Sequence, residues 1–414
     1  MKRSLLLILL AGLAAAPASA NPAWPEVTPA VKAVHEAVLA LDTHFDSAAS
    51  LARPGWDIMQ RHAYEEDFTQ VDYPRLIEGG IDGGFWTIYV GQGPRTPEGH
   101  AAARDQALRI AARIREMVAR HHAHFELAFT AADGPRIAAA GKQVVYLSME
   151  NGYPLGRDLS LTDTFYQLGV RMLGPVHFAN NELADSSTDP KGPEWGGLSP
   201  LGRELVALCN RLGIVLDASH ASDQVLEQML ELSATPVVLS HSGCKAVFDH
   251  PRNIPDELLR KLAAKGGVIQ MNAFSSYTAP LPQTPERNAA MRDLFARFGG
   301  RAGLTTPERY AQFLAARAEL ERRHPMPLAT FDQFMAHVRH ALKVVGPDHV
   351  GISGDFDGGG GVEGFMDVTG SPRITAALLA DGWSQDDIAK IWGGNVLRLL
   401  KAAEDHAAQA KTAP

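Results

Sequence analysis

The segment Gly213-Ile214-Val215-Leu216-Asp217-Ala218-Ser219-His220 places an apolar run between a glycine and a histidine. Upstream, Ser199 is positioned to cap a helix and Pro200 suits its first turn. Leu201, Leu205, Leu208 and Leu212 line one face before Gly213 stops it. The unit therefore reads as helix, turn and buried strand, with a polar residue where the strand ends. The same rhythm recurs along the chain. Strands are expected near residues 38–41, 84–90, 126–130, 144–148, 170–173, 214–218, 237–239, 268–272 and 350–353. Most are continuous apolar runs, the pattern of parallel strands covered by helices. Pro255-Asp256 opens another helix, with Leu258, Leu259 and Leu262 inward and Gly266-Gly267 at its end. About eight strands with intervening helices predict an α/β fold, a (β/α)8 TIM-type barrel with one strand to spare. A doubly wound open sheet is the alternative, but no Gly-rich fingerprint follows an early strand.

The beginning of the 414-residue chain is different in kind. Lys2 and Arg3 form a short positive end, residues 5–16 are apolar or small, and Ala18-Ser19-Ala20 has the small-x-small pattern that signal peptidases cut. A core this short is below the roughly 20 apolar residues of a membrane span. No Cys follows the cut and no twin arginine precedes it, so the expectation is a signal peptide over residues 1–20 and an exported chain, periplasmic or secreted, with no membrane anchor. Without Lys2 and Arg3 the basic residues fall from 39 to 37 against 47 acids, a formal charge of −10 that argues against nucleic acid as a partner. A hydrophobic content of 45 % with 38 Gly and 26 Pro excludes disorder and collagen. Cys209 and Cys244 are the only cysteines, so disulfides are not the framework; one bridge or two core thiols both fit.

After a Pro-rich lead-in (residues 21–35), residues 36–402 are expected to form one catalytic domain, followed by an Ala-rich tail (403–414). An insertion at residues 277–327 follows a late strand, first Pro-rich and then helical over 308–323. In a barrel it would overhang the mouth as a lid, because the loops after the strands line that face.

Metal-ligand residue types sit where the strands end. The first strand runs into Asp42-Thr43-His44-Phe45-Asp46, and alternation puts His44 and Asp46 on one side. Strand 144–148 ends in Glu150, strand 214–218 in His220, strand 237–239 in Ser240-His241, and strand 350–353 in Asp355-Phe356-Asp357. Barrel closure would bring these ends to one pocket, and three His with several carboxylates suit Zn2+. Each has a plainer reading. A single strand-end His is more often structural, Asp217 can simply brace a turn, and Asp357-Gly358 can be only a turn signal. His121, His122 and His124 read as a solvated helix end rather than a cluster. The main set is favoured because five strand ends repeat the same feature.

These stretches (residues 41–46, 147–152, 169–177, 197–222, 236–255 and 350–358) resemble the membrane dipeptidase (renal dipeptidase) family of zinc peptidases, which has the metal-dependent amidohydrolase barrel. The combination of Gly213 through His220, Ser240-His241-Ser242 and Arg252-Asn253-Ile254-Pro255 is specific. The resemblance spans residues 38–400 and implies two Zn2+ per chain. His44 and Asp46 would hold one, His220 and His241 the other, and Glu150 would bridge both. It also implies His177 as a substrate-binding and catalytic histidine, Asp355 as a catalytic acid, and Arg252 as the binder of the substrate's carboxylate. The implied activity is cleavage of dipeptides, including ones with a D-residue at the carboxyl end, by a metal-bridging hydroxide with Glu150 among the catalytic groups.

The family usually follows the bridging Glu with two glycines, whereas Asn151-Gly152 stands here; a larger residue at 151 is expected to narrow the pocket or add a hydrogen bond near the metals. The cysteine framework and lipid-anchor signal of the animal enzymes are missing, so covalent dimerisation and membrane attachment are not carried over. A homodimer is what the family suggests. The competing enzyme reading is another metal-dependent amidohydrolase, a lactonase or other amide or ester hydrolase. Those barrels usually begin with a His-x-His pair and often bridge their metals with lysine, unlike His44-Phe45-Asp46 with Glu150. A non-catalytic binding protein is disfavoured because Glu150, His177 and Asp355 are all present.

Overall fold

The apolar runs become parallel strands buried along their length. In the computed structural model, which describes residues 24–300 and 303–412, they are β1 (Leu41–Phe45), β2 (Gly83–Tyr89), β3 (Phe125–Leu127), β4 (Gln143–Glu150), β5 (Val170–Leu173), β6 (Val215–Leu216), β7 (Val238–Cys244), β8 (Asn253–Ile254), β9 (Val268–Asn272) and β10 (Val350–Ser353). One sheet has the order β1-β2-β4-β5-β6 and the other β10-β9-β7-β8. Two single parallel bridges, Asp217 to Val238 and Phe45 to Phe356, join their edges. The ring β1-β2-β4-β5-β6-β7-β9-β10 is thereby an eight-stranded (β/α)8 barrel. Strand β3 pairs only with the first residues of β4 and is the extra strand; the two-residue β8 is too short to show in the sequence.

Both strongly signposted helices form. Pro200–Leu212 is capped by the Ser199 side chain, which accepts from the Gly202 N–H, and ends at Gly213 in the left-handed region (φ 81°). Its buried face centres on Leu205, Val206 and Cys209, so Leu208 lies at its margin. Asp256–Ala264 buries Leu258, Leu259 and Leu262 as expected. Helices such as these cover the outside of the strands and build the larger core. A second cluster joins Leu41, Val144, Val215, Val238 and Val268, near the beginnings of their strands, to Val396, Leu399, Leu400 and Ala403 of the last helix. That helix closes the barrel at the end opposite the strand termini.

Several boundaries differ from the sequence reading. The first strand is not 38–41 but Leu41–Phe45, so His44 lies inside it. Polar residues are tolerated there because they are satisfied. Asp42 accepts from the backbone N–H groups of His44 (2.9 Å) and Gly354 (2.7 Å), and the Thr43 hydroxyl donates to the Ser240 carbonyl (2.7 Å). Within the lead-in, Thr28 caps a helix over Pro29–Ala37. The Ala-rich tail belongs largely to the helix Asn395–Thr412, where the small side chains of Ala403 and Ala407 allow close packing. The insertion holds a further helix, Pro285–Arg297, ahead of Pro307–Arg323. Its weak apolar periodicity hid it, since it packs within a local cluster of Leu294, Phe298, Leu304, Phe313 and Leu320. Cys209 and Cys244 are separate buried thiols. No helix among the described residues is long and apolar enough to cross a membrane, and the signal-peptide segment lies outside the described residues.

Gly213 joins a helix terminus to the strand that leads to His220. A side chain there meets both the left-handed backbone and Ala407, whose Cβ would lie 3.2 Å away. Gly213→Ala is expected to lower the unfolding free energy by about 1–2 kcal/mol in urea titration. An unchanged midpoint would contradict the role given to this turn.

Candidate metal centre

Strand termini supply the site because parallel closure directs them to one face. His44 comes from β1, with Asp46 just beyond; Tyr89 and Glu150 end β2 and β4 and are register partners. His177 and His220 follow β5 and β6, His241 lies in β7, Asn272 ends β9, and Asp355 follows β10. Five non-glycine residues have positive φ among the described residues, and four of them stand at these ends: Asn151 (68°), His220 (67°), Asp355 (51°) and Asp357 (66°). Such backbone costs about 1 kcal/mol or more per residue and persists where the surroundings over-determine it.

Glu150 is at the centre. Its Oε1 lies 3.1 Å from His220 Nε2, 3.3 Å from His241 Nε2 and 3.4 Å from His177 Nε2. Its Oε2 lies 3.5 Å from His44 Nε2, which is also 3.3 Å from Asp46 Oδ2. Burial alone would raise the Glu150 pKa, but His177, His44 and the other imidazoles outweigh it and hold the carboxyl well below its usual range. Burial also opposes charge on His44, yet Glu150 and Asp46 keep that imidazole's pKa well above the ordinary value. His220 and His241 are pushed well below theirs by burial, with Arg252 adding repulsion in both cases. Burial pushes Asp355 up to about 7, with Asp46 and Glu150 reinforcing it and His44 opposing.

A layer behind the ligands sets their orientation. The Ser240 hydroxyl donates to Asp217 Oδ2 (2.5 Å), so its oxygen is left to accept from His241 Nδ1 (2.8 Å). That assigns the proton of His241 to Nδ1 and leaves Nε2 as a lone pair aimed at Glu150. Asp217 is itself held by the backbone N–H groups of Ser219 and Ser240. Thus the residue with a plain turn-bracing alternative does brace a turn, and in doing so it fixes the His241 ring. Asp357 likewise accepts from the Ser47 hydroxyl and the Gln70 N–H.

The donor set fits cations. Three overlapping groups have ligand atoms within 4.8 Å of one another: His44, Glu150 and His241; Glu150, His177 and His220; and His44, Asp46 and Asp355. His44 Nε2 is buried without a hydrogen bond, and the Nε2 atoms of His220 and His241 stand 2.9 Å apart. Facing lone pairs gathered round a carboxylate are an unfavourable arrangement that a divalent cation resolves. Gly358 keeps the wall open, since a Cβ there would collide with Asp46 Oδ2 and Asp355 Oδ1.

The residues singled out from the sequence therefore meet, with two qualifications. Asp46, Glu150, His177, His220, His241 and Asp355 line one cleft of about 210 Å³. Arg252 is buried beside that cleft rather than on its lining. It donates to the His241 carbonyl (2.9 Å) and lies 5.4 Å from the Tyr277 ring centroid. Asn151 does not narrow the cleft. Its amide donates to the Val90 carbonyl (2.9 Å) and its oxygen accepts from Asn181 (3.2 Å), so it ties neighbouring loops together. His121, His122 and His124 lie at a helix end and belong to none of the ligand groups.

Sequence reasoning missed Tyr89, 3.3 Å from His177 Nδ1; Asn272, which donates to Asp355 (3.0 Å); and the cleft-lining Phe178, Phe274 and Tyr277. Asn272 ends a predicted strand and Tyr89 stands one residue before the end of another, so the rule that found His220 would have found them had it extended beyond metal-ligand residue types.

The family described as Membrane dipeptidase (Peptidase family M19) matches residues 29–414. Dipeptidase tcpJ of Claviceps purpurea is 32 % identical over 353 residues, covering 82 % of this chain and 71 % of its own. The crystal structure of the probable dipeptidase PvdM from Pseudomonas aeruginosa superposes with a TM-score of 0.78 at 32 % identity, over 92 % of this chain and 99 % of that one. A metallopeptidase from Rhodobacter sphaeroides, solved with a phosphinate mimic of the dipeptide L-Ala-D-Ala, gives 0.69 at 26 % identity, over 88 % and 99 %. With the barrel, the ligand-bearing strand ends and the match over nearly all of the described chain in agreement, this protein belongs to the membrane dipeptidase family, peptidase family M19.

Proposed function

We propose that the chain is an exported, zinc-dependent dipeptidase that holds two Zn2+ and hydrolyses dipeptides, including ones with a D-residue at the carboxyl end. The observation that carries this reading is the two-sided environment of Glu150, with His44 at one carboxylate oxygen and His220 and His241 at the other. It supports one cation at His44, Asp46 and Glu150 and another at Glu150, His220 and His241. Export rests on the sequence of residues 1–20. Acceptance of a D-residue is supported by the ligand of the Rhodobacter sphaeroides relative.

When bound, such a metal pair supplies Lewis acidity and a water acidic enough to ionise near neutral pH. The remaining roles fall to side chains. His177 directs Nε2 toward the centre while its other nitrogen meets the Tyr89 hydroxyl, an arrangement suited to stabilising negative charge on the peptide oxygen. Asp355 has one oxygen held by Asn272, and its carboxyl is placed to take a proton from the attacking water and return it to the leaving amine. Arg252 has a buried Nε without a hydrogen-bond partner, which supports a role in holding the substrate's free carboxylate.

Chelation of the purified protein is expected to abolish cleavage of L,L- and L,D-dipeptides, and Zn2+ to restore it. Glu150→Gln should lose activity together with bound zinc, measured by elemental analysis. Persistent cleavage by metal-free protein would refute the reading. Asp355→Asn should lower kcat by about 10²–10⁴-fold, the usual range for a lost acid–base group, with little change in KM. If Arg252 binds the terminal carboxylate, dipeptide amides should be cleaved at least about 10²-fold less efficiently than the free acids, because a charge-assisted pair is lost; equal kcat/KM values would remove Arg252 from this role.

A further inference from the structure

A second cleft of about 380 Å³ opens directly off the metal centre and shares Asp46, Tyr89 and Asp357 with it. Among the described residues four arginines line it: Arg53, Arg109, Arg113 and Arg317. Arg109 and Arg113 stand one turn apart on the helix Pro97–Arg120, which follows β2, and neither has an ion pair or hydrogen bond among the described residues. Arg317 comes from the insertion. Its Nε is buried without a hydrogen bond, its guanidinium lies 3.7 Å from the Phe68 ring centroid, and it pairs at 3.8 Å with Glu321, which both terminal nitrogens of Arg287 also hold at 2.6 and 2.8 Å. Arg53 donates one N–H to the Asp67 carbonyl and lies 5.4 Å from the Tyr310 ring centroid. Of the two acids on the lining, Asp357 is attracted to Arg53, and neither forms an ion pair with Arg109 or Arg113 among the described residues. Asp46 belongs to the ligand group, and Asp357 is engaged by Ser47 and Gln70.

Barrel order gives the cleft its place on the substrate. In the ring β1-β2-β4-β5-β6-β7-β9-β10, β2 and β7 are diametrically opposed. Arg252 is attached to β7 through the His241 carbonyl, whereas the arginine cleft opens past Tyr89 at the end of β2. A dipeptide with its carboxylate at Arg252 and its peptide bond over Glu150 directs its amino-terminal residue toward the arginines. We propose that this cleft is a subsite for an anionic side chain on the amino-terminal residue, making glutamyl and aspartyl dipeptides the preferred substrates. This rests on the dipeptidase reading and on Arg252 marking the carboxyl end.

The test compares kcat/KM for glutamyl-alanine and glutaminyl-alanine, which differ in charge but hardly in shape. The holoenzyme is expected to favour the glutamyl substrate by about tenfold at low salt, with the preference shrinking at roughly 0.5 M salt as the charges are screened. In the double variant Arg109→Gln/Arg113→Gln the ratio should fall toward one. The charge-keeping Arg109→Lys/Arg113→Lys should retain most of it, and Arg120→Gln, at the far end of the same helix, should leave the ratio unchanged. A wild-type ratio near one, or a ratio insensitive to removing the two charges, overturns the subsite; cleavage of neutral dipeptides in the same assay shows that the dipeptidase reading survives. Calorimetric titration of both peptides into Asp355→Asn makes the comparison without turnover. Tighter glutamyl binding supports the subsite even if no dipeptide is cleaved, and equal binding overturns it.

Discussion

A mostly buried carboxylate surrounded by four imidazoles governs how the rest of this molecule is arranged. Glu150 is only 6 % exposed, and an isolated charge at that depth would cost several kcal/mol. The histidines that compensate it create the opposite difficulty among themselves, since nitrogens of His220 and His241 approach to 2.9 Å. Cations between carboxylate and imidazole resolve both at once. The barrel is the means of holding these groups together, because each is carried on or just beyond a strand whose neighbours are fixed by the parallel ladder.

The layer behind the ligands explains how such a set remains specific. Ser240 relays the orientation of Asp217 to His241, and Asp42 ties β1 to the turn after β10. Left-handed backbone at Asn151, His220, Asp355 and Asp357 bends the chain sharply as each strand ends. The cost is offset locally, as at Asn151, whose side chain bonds the Val90 carbonyl and Asn181. The Asn151 side chain thus supports the neighbouring loops.

The mouth is asymmetric. The cleft wall beside His241 is closed by Phe274, Tyr277 and the buried Arg252, while the side beyond Tyr89 opens into a larger space walled by the helix after β2 and by the insertion. The insertion keeps a small core of its own around Phe298 and Phe313, so it can present Arg317 and Tyr310 to that space without drawing on the barrel core. The strand-end cluster and the arginine-lined space are therefore built largely from different parts of the chain.

The barrel class, the helix limits at Ser199 and Gly213, and the candidate ligands His44, Asp46, Glu150, His220 and His241 were legible in the sequence. Those features are local: apolar runs, capping chemistry and ligand-type side chains at strand ends survive in the linear order of residues. It did not reveal the helix 285–297, whose apolar side chains pack against a neighbouring helix instead of a regular inner face, or the extension of β1 through Asp42 and His44. Nor did it reveal Tyr89 and Asn272, whose residue types serve equally well in ordinary cores and turns. That Arg252 lies beside the cleft, that Asn151 turns away from it, and that arginines from three separate segments share one space follow from the folded chain alone. These outcomes depend on contacts between residues as far apart as Asp42 and Gly354 or Thr43 and Ser240. Barrel closure brings such residues together, and the distances it creates are not encoded in any one segment.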